Sequence, residues 1–284
     1  MPRHPAVAGH FYKASRDSLK NQVSSFIIPV ADKKHALGIL APHAGFMYSG
    51  SVAGAVYSNI VVPKTIVLIG PNHTGLGAPV SIMSSGAWET PLGEVVIDEA
   101  LAASILAKSS RIREDSLAHL REHSLEVQLP FIQYLRKDIK IVPIQMLDTR
   151  FETCVAVGRA VGEAIIDRIQ GPGSRGQEKG KKEHDFERPL IVASSDMSHY
   201  ELAATAKEQD FKAIKKILNL DPEGLYQVVR DHGITMCGYG PAVAMLVAVN
   251  LLNATHAELI KYANSGDANN DYEKVVGYAG IVVM

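Results

Sequence analysis

The sequence predicts an α/β fold, a mostly parallel sheet covered by helices. Three observations carry that reading. Residues 65–70 and 189–193 are continuous apolar runs rich in β-branched residues, the pattern of strands buried on both faces. Strand-like and helix-like patterns alternate along the chain, with no repeat of the solenoid type. Three of the strand-like runs end in a turn that carries a histidine: His43, His73 and His199. Ligands of open α/β sheets bind outside the carboxyl ends of the strands, so these histidines are aimed at a site.

Taken in order, Ser15 to Phe26 reads as a short helix with Asp17 and Ser18 as caps and Pro29 as its stop. Residues 36–43 form a strand running into a Pro-His turn, and Ser51 to Ser58 a helix rich in Ala and Val. The His73 strand follows. Val80 to Ser84 and Val95 to Ile97 are short β-like pieces around a Gly/Trp/Pro loop at 86–93. Asp98 caps a helix carrying Leu101, Ile105 and Leu106. Glu122 to Lys137 shows Leu125, Leu129, Ile132 and Leu135 at helical spacing, with Pro130 kinking it or restarting a first turn. Ile139 to Gln145 is a strand, and Val161, Ile165 and Ile169 mark a further helix. Residues 171–188 are almost devoid of apolar side chains and read as an exposed hydrophilic loop in which His184 is solvated. After the His199 strand come a helix around Phe211, Ile214 and Leu218, another opened by Asp221, and an apolar helix to Leu252. Strands near Glu258–Tyr262 and Tyr278–Val283 close the chain.

Composition narrows the function classes. The 284 residues, 46% of them hydrophobic, suffice for one large core, and residues 1–284 read as a single domain. With 29 basic and 30 acidic residues, no dedicated nucleic-acid or membrane surface is expected. Two cysteines do not make a disulfide framework, and the start lacks a signal-peptide core. Both point to a cytoplasmic protein.

The three strand-end histidines would share one edge of a parallel sheet. Imidazole is both a common metal ligand and the natural base near neutral pH. Cys237, in Cys-Gly-Tyr-Gly-Pro, sits before a helix whose first turn Pro241 fits, where the backbone dipole would favour a thiolate. Cys154, inside a helix, reads as a buried small side chain. Asp196, three residues before His199, either orients a ring nitrogen or accepts a turn hydrogen bond. Glu122 and His123 open a helix and are outer-shell candidates. The other histidines, His119 among them, form no constellation.

In order and spacing, several segments together resemble the MEMO family, protein B of the AmmeMemoRadiSam group, over nearly the whole chain. They are Arg-His-Pro-Ala-Val-Ala-Gly-His-Phe-Tyr at 3–12, Ala-Pro-His-Ala-Gly-Phe-Met-Tyr-Ser-Gly at 41–50 and Gly-Pro-Asn-His-Thr-Gly at 70–75. Glu-His-Ser-Leu-Glu-Val-Gln-Leu-Pro at 122–130, Ser-Ser-Asp-Met-Ser-His-Tyr at 194–200 and Cys-Gly-Tyr-Gly-Pro at 237–241 complete the set. The resemblance implies one three-layer α/β/α domain with a central mixed sheet, related in fold to class III extradiol ring-cleaving dioxygenases. Those enzymes hold non-haem Fe(II) with two histidines and a carboxylate. By position, His43 and His73 match the metal histidines, His199 matches the acid/base histidine, and Cys237 falls where the carboxylate would be. The implied cofactor is one divalent metal per chain, with Fe(II) favoured and Cu or Zn also suited to a thiolate site. The implied function is a metal-dependent oxidoreductase acting on a small molecule, with Asp196 backing His199. The other implied function is a non-enzymatic adaptor that binds a peptide or partner in the same groove, lined by Tyr48 and Trp88. A homodimer is the base-rate expectation.

Overall fold

The computed structural model describes residues 2–170 and 188–284. Almost all of the hydrophilic stretch 171–188 lies outside the described residues. The centre is a run of β-branched strands. β1 (Gly38–Ala41), β2 (Thr65–Pro71), β7 (Lys140–Met146) and β8 (Leu190–Ser194) lie parallel in the order β1-β8-β2-β7, buried along nearly their whole length. Full burial on both faces is why these segments are apolar throughout rather than alternating.

The remaining strands make the sheet mixed. β11 (Val275–Val283) pairs antiparallel with β1, and β10 (Ala257–Asn264) extends it at one edge. At the other side β3 (Val80–Ile82) runs antiparallel to β7 and parallel to β6 (Arg113–Glu114). β4 (Ala87–Thr90) and β5 (Gly93–Ile97) form a hairpin docked on β7, and the short β9 (His199–Glu201) pairs with β11. The loop expected at 86–93 is thus largely the first strand and turn of a hairpin.

Helices cover both faces. α1 (Arg16–Ser24) starts after Ser15, with Asp17 in its first turn rather than as its cap. α2 (Phe46–Ser58) begins five residues before the expected Ser51, directly after the extended Gly45. α3 (Glu99–Lys108) is capped by Asp98, whose carboxylate accepts from Leu101 N–H. The stretch from Glu122 is not one helix. A 3-10 turn at Glu126–Gln128 precedes α4 (Leu129–Leu135), with Pro130 in the first turn where its missing N–H costs nothing. α5 (Phe151–Gln170), α6 (Ala203–Leu218), α7 (Pro222–Asp231) and α8 (Tyr239–Leu251) follow, and α9 (Gly266–Asn269) is a single turn. One continuous core runs from Tyr12, ahead of α1, to Val283 in β11.

α5 and α8 approach closely because Gly158 presents no side chain. A Cβ there would lie 2.4 Å from the Ala244 carbonyl oxygen and 2.7 Å from Val247 Cβ. Alanine would gain about 1 kcal/mol of helix propensity. A backbone oxygen cannot step aside, so overpacking of about 1–3 kcal/mol should win. Gly158→Ala is therefore expected to lower the urea midpoint, and an unchanged or raised midpoint would show that the two helices can slide apart.

Candidate metal centre

The parallel strands place their carboxyl ends on one edge of the sheet, and each site histidine owes its place to that. His43 and His73 each follow two residues after a strand, β1 and β2 respectively. His199 comes five residues after β8, as the first residue of β9. His123 lies in the turn after Glu122, before the 3-10 turn.

His43, His73 and His123 form a group that could hold a metal ion, each offering a ligand atom within 4.8 Å of the others. Their ring centroids are 4.8–5.5 Å apart. Two of the rings have their tautomers set by neighbours. Ser194 Oγ gives its one hydrogen to the Ser124 carbonyl, 2.6 Å away, so it accepts from His43 Nδ1 at 3.0 Å and from Gln128 Nε2 at 2.9 Å. His73 Nδ1 donates to the Glu122 carboxylate at 2.9 Å. With Nδ1 taken up in both rings, Nε2 is the nitrogen left to face the group. Orientation of a ligand ring by a carboxylate or hydroxyl on the far nitrogen is the usual support of a metal-binding histidine.

The electrostatics agree. Burial, together with the charges of His123, His73 and His199, pushes the His43 pKa well below its ordinary value, so the ring is neutral. Burial and neighbouring His73 likewise lower that of His123, against the opposing pull of Glu122. Neutral imidazoles are the ligand form. Burial would raise Glu122, but the hydrogen bond and charge of His73, with the Ser124 N–H, hold it at about 2. Its carboxylate also accepts from the backbone N–H groups of His73 and His123.

Cys237 stands beside this group, Sγ 3.2 Å from His43 Nε2, just before the Gly238 cap of α8. The helix end does not make it a thiolate. Burial and the Asp196 charge push its pKa up, against hydrogen bonds from the backbone N–H groups of Asp196 and Gly238 and from Ser195. The raised pKa favours the thiol, which has two acceptors in reach, His43 Nε2 at 3.2 Å and the Asp196 carbonyl at 3.7 Å.

Asp196 does not back His199. Its Oδ1 accepts from the backbone N–H of His43 at 2.8 Å and Ala44 at 3.3 Å, bracing the turn that carries His43. His199 is held instead by Thr235: Nδ1 donates to the carbonyl at 2.9 Å, and the hydroxyl accepts its N–H at 2.7 Å. Asp196 turned toward β1 because the 195–198 loop crosses the end of that strand, where Ser195 N–H bonds the Ala41 carbonyl. Burial raises the Asp196 pKa to about 6, against the His43 N–H and the His199 charge.

Trp88 does not line a groove. It is 0% exposed in the β4–β5 hairpin, with the Arg3 guanidinium 4.1 Å from its ring and His119 edge-on at 5.7 Å. Tyr48 is half-buried in α2. Tyr200, not singled out from the sequence, is 75% exposed beside the His199 ring and holds φ +61°, a left-handed conformation unusual for an aromatic residue. The supports Ser194, Gln128 and Thr235 were likewise not legible, because each acts across more than 30 residues of sequence.

Among the described residues no helix is long and apolar enough to cross a membrane. Residues 3–282 match the family model described as Memo-like protein. A MEMO1 family protein of Methanosarcina mazei is 44% identical over 99% of this chain and 98% of its own. One from Methanothermobacter thermautotrophicus is 41% identical over 98% and 99%, and one from Aquifex aeolicus 42% over 99% of each. Among solved structures, an uncharacterized protein of Escherichia coli K12 aligns over 86% of this chain and 98% of its own, with a TM-score of 0.49 at 12% identity.

Proposed function

This chain belongs to the Memo-like protein family, and we propose that it works as a metal-dependent oxidoreductase on a small molecule bound at the carboxyl edge of the sheet. The observation that supports this most is the convergence of three imidazoles, two with Nδ1 already committed, beside a thiol 3.2 Å from one of them. His43 is the buried member of that set, and burial with the neighbouring imidazoles lowers its proton affinity, which keeps it in the neutral form that a metal takes.

His43 and His73 would hold the metal through Nε2, with Cys237 as the soft ligand and His123 as the neighbouring imidazole. Cys/His donors suit Fe(II), and also Zn or Cu. A divalent metal bound there supplies Lewis-acid polarisation and, if iron or copper, redox chemistry. His199 handles protons: with Nδ1–H fixed on Thr235, Nε2 is left to take or return one. Asp196 keeps the His43 turn in place and offers a carboxyl of raised proton affinity beside the thiol.

The test is elemental analysis of protein purified without oxygen or chelators, for wild type and the variants His43→Ala, Cys237→Ala and His199→Ala. Wild type should carry a stoichiometric divalent metal, the first two variants should lose it, and His199→Ala should keep it. Metal retained in Cys237→Ala would remove the thiol from the ligand set. No metal in wild type, even after reconstitution, would overturn the enzyme reading in favour of a partner-binding protein.

A further inference from the structure

A cleft lies on the same edge of the sheet, outside the imidazole group. It encloses about 210 Å³ and is lined by Pro79, Val80, Arg111, Arg113, Asp148, Arg150 and Thr153. Strand register locates it. Pro71 of β2 pairs with Met146 of β7, and Met146 pairs with Val80 of β3. Val80 is therefore two strand spacings, roughly 10 Å, from the strand end that leads to His73.

The cleft is unbalanced in charge although the whole chain carries 29 basic and 30 acidic residues. Three guanidinium groups face one carboxylate among its lining residues. That carboxylate is occupied: Asp148 takes Arg150 Nε at 2.9 Å and Arg150 Nη2 at 2.6 Å, and the Thr153 hydroxyl at 2.8 Å. The Arg111 guanidinium donates only to the neutral Thr153 hydroxyl, at 3.3 Å, and to no carboxylate among the described residues. The Arg113 guanidinium has no hydrogen-bond or ion-pair partner among the described residues. Neighbouring Glu114 accepts the Ser84 N–H and Asp115 accepts the N–H groups of Ala78 and Leu117, and neither carboxylate forms an ion pair with Arg113. Glu152 adds some negative charge near Arg150. Surface arginines ordinarily find a carboxylate or splay into solvent, whereas these two share one concavity with a third.

We propose that this cleft binds a phosphate-class dianion, gripped by Arg111 and Arg113 with Arg150 at its rim. Guanidinium groups match phosphate oxygens in a bidentate fork. Two uncommitted cations favour a doubly charged oxyanion over a single carboxylate. The volume is below the roughly 300 Å³ at which drug-sized pockets begin, so the cleft takes the anionic group and not a whole ligand. The group is either the free ion or the phosphate of a larger ligand lying along the sheet edge toward His73.

The experiment is calorimetric titration of inorganic phosphate into chelator-treated, metal-free protein, so the outcome does not depend on the metal reading. Wild type should bind, and the double variant Arg111→Gln, Arg113→Gln should bind at least tenfold more weakly. Arg159→Gln, an exposed arginine of α5 outside the cleft, should bind like wild type. Because the two replaced side chains are exposed, both variants should keep the wild-type melting temperature. No binding by wild type at millimolar phosphate, or equal binding by wild type and the double variant, overturns the proposal. Phenyl phosphate binding more tightly than phosphate would place the group on a larger ligand, while weaker binding would name the free ion.

Discussion

Replacing Arg3 with methionine is expected to lower the melting temperature by roughly 10 °C. Arg3 is 2% exposed, and every edge of its guanidinium is used. Nη1 pairs with Glu126 at 2.7 Å, Nε donates to the His119 carbonyl at 2.5 Å, and Nη2 donates to the Glu122 carbonyl at 2.6 Å. Methionine fills much of the same space on Trp88 but leaves the Glu126 carboxylate in the interior without its counter-charge. Breaking a buried pair from one side costs about 3–5 kcal/mol. In a domain of this size each kcal/mol is worth about 2–4 °C. Glu126 keeps donors from Ala6 and Val7 N–H and the Tyr12 hydroxyl, which argues for the lower part of that range. Arg3→Lys should recover only part of the loss, since an ammonium cannot reach three acceptors in a plane. A calorimetric shift under about 2 °C for the methionine variant would mean that water or backbone movement relieves Glu126.

Glu122→Gln should weaken metal binding by about 10–100-fold in a chelator competition, the usual cost of removing the partner that orients a ligand histidine. The Glu122 carboxylate accepts four N–H groups: His73 N–H and Nδ1–H, and the backbone N–H of His123 and Ser124. An amide can accept only with its oxygen, and its NH₂ would face donors. The same substitution has a signature independent of metal. The folded-state pKa of Glu122 is depressed from its ordinary 4.5 to about 2. A depressed carboxyl contributes stability above its unfolded pKa and loses it as pH falls through the folded one. Metal-free wild type should therefore lose stability between about pH 4.5 and 2 more steeply than Glu122→Gln. Parallel acid curves, with metal affinity unchanged, would reduce Glu122 to a turn brace.

Much of the architecture was legible along the chain because it is local chemistry. β-branched runs marked the strands buried on both faces, Asp98 and Asp221 marked helix starts, and Pro130 marked the first turn of α4. His43 and His73 could be pointed at one edge because a parallel sheet puts its strand ends together. Trp88 misled for a physical reason. A tryptophan among Gly and Pro reads as a loop residue, yet the hairpin turns it inward beneath the N-terminal arm, and only the arrival of Arg3 shows why.

The sequence by itself determined where strands end and which reactive side chains sit there, since those are matters of residue type and spacing over a few positions. Tertiary structure decided which imidazoles meet, that His123 joins them, that Asp196 serves His43 and not His199, and that burial pushes the Cys237 thiol pKa up where a helix start would lower it. Each of these turns on burial and on partners tens to hundreds of residues away. Desolvation and long-range hydrogen bonds set proton affinity and side-chain direction, and neither leaves a periodic mark in the chain.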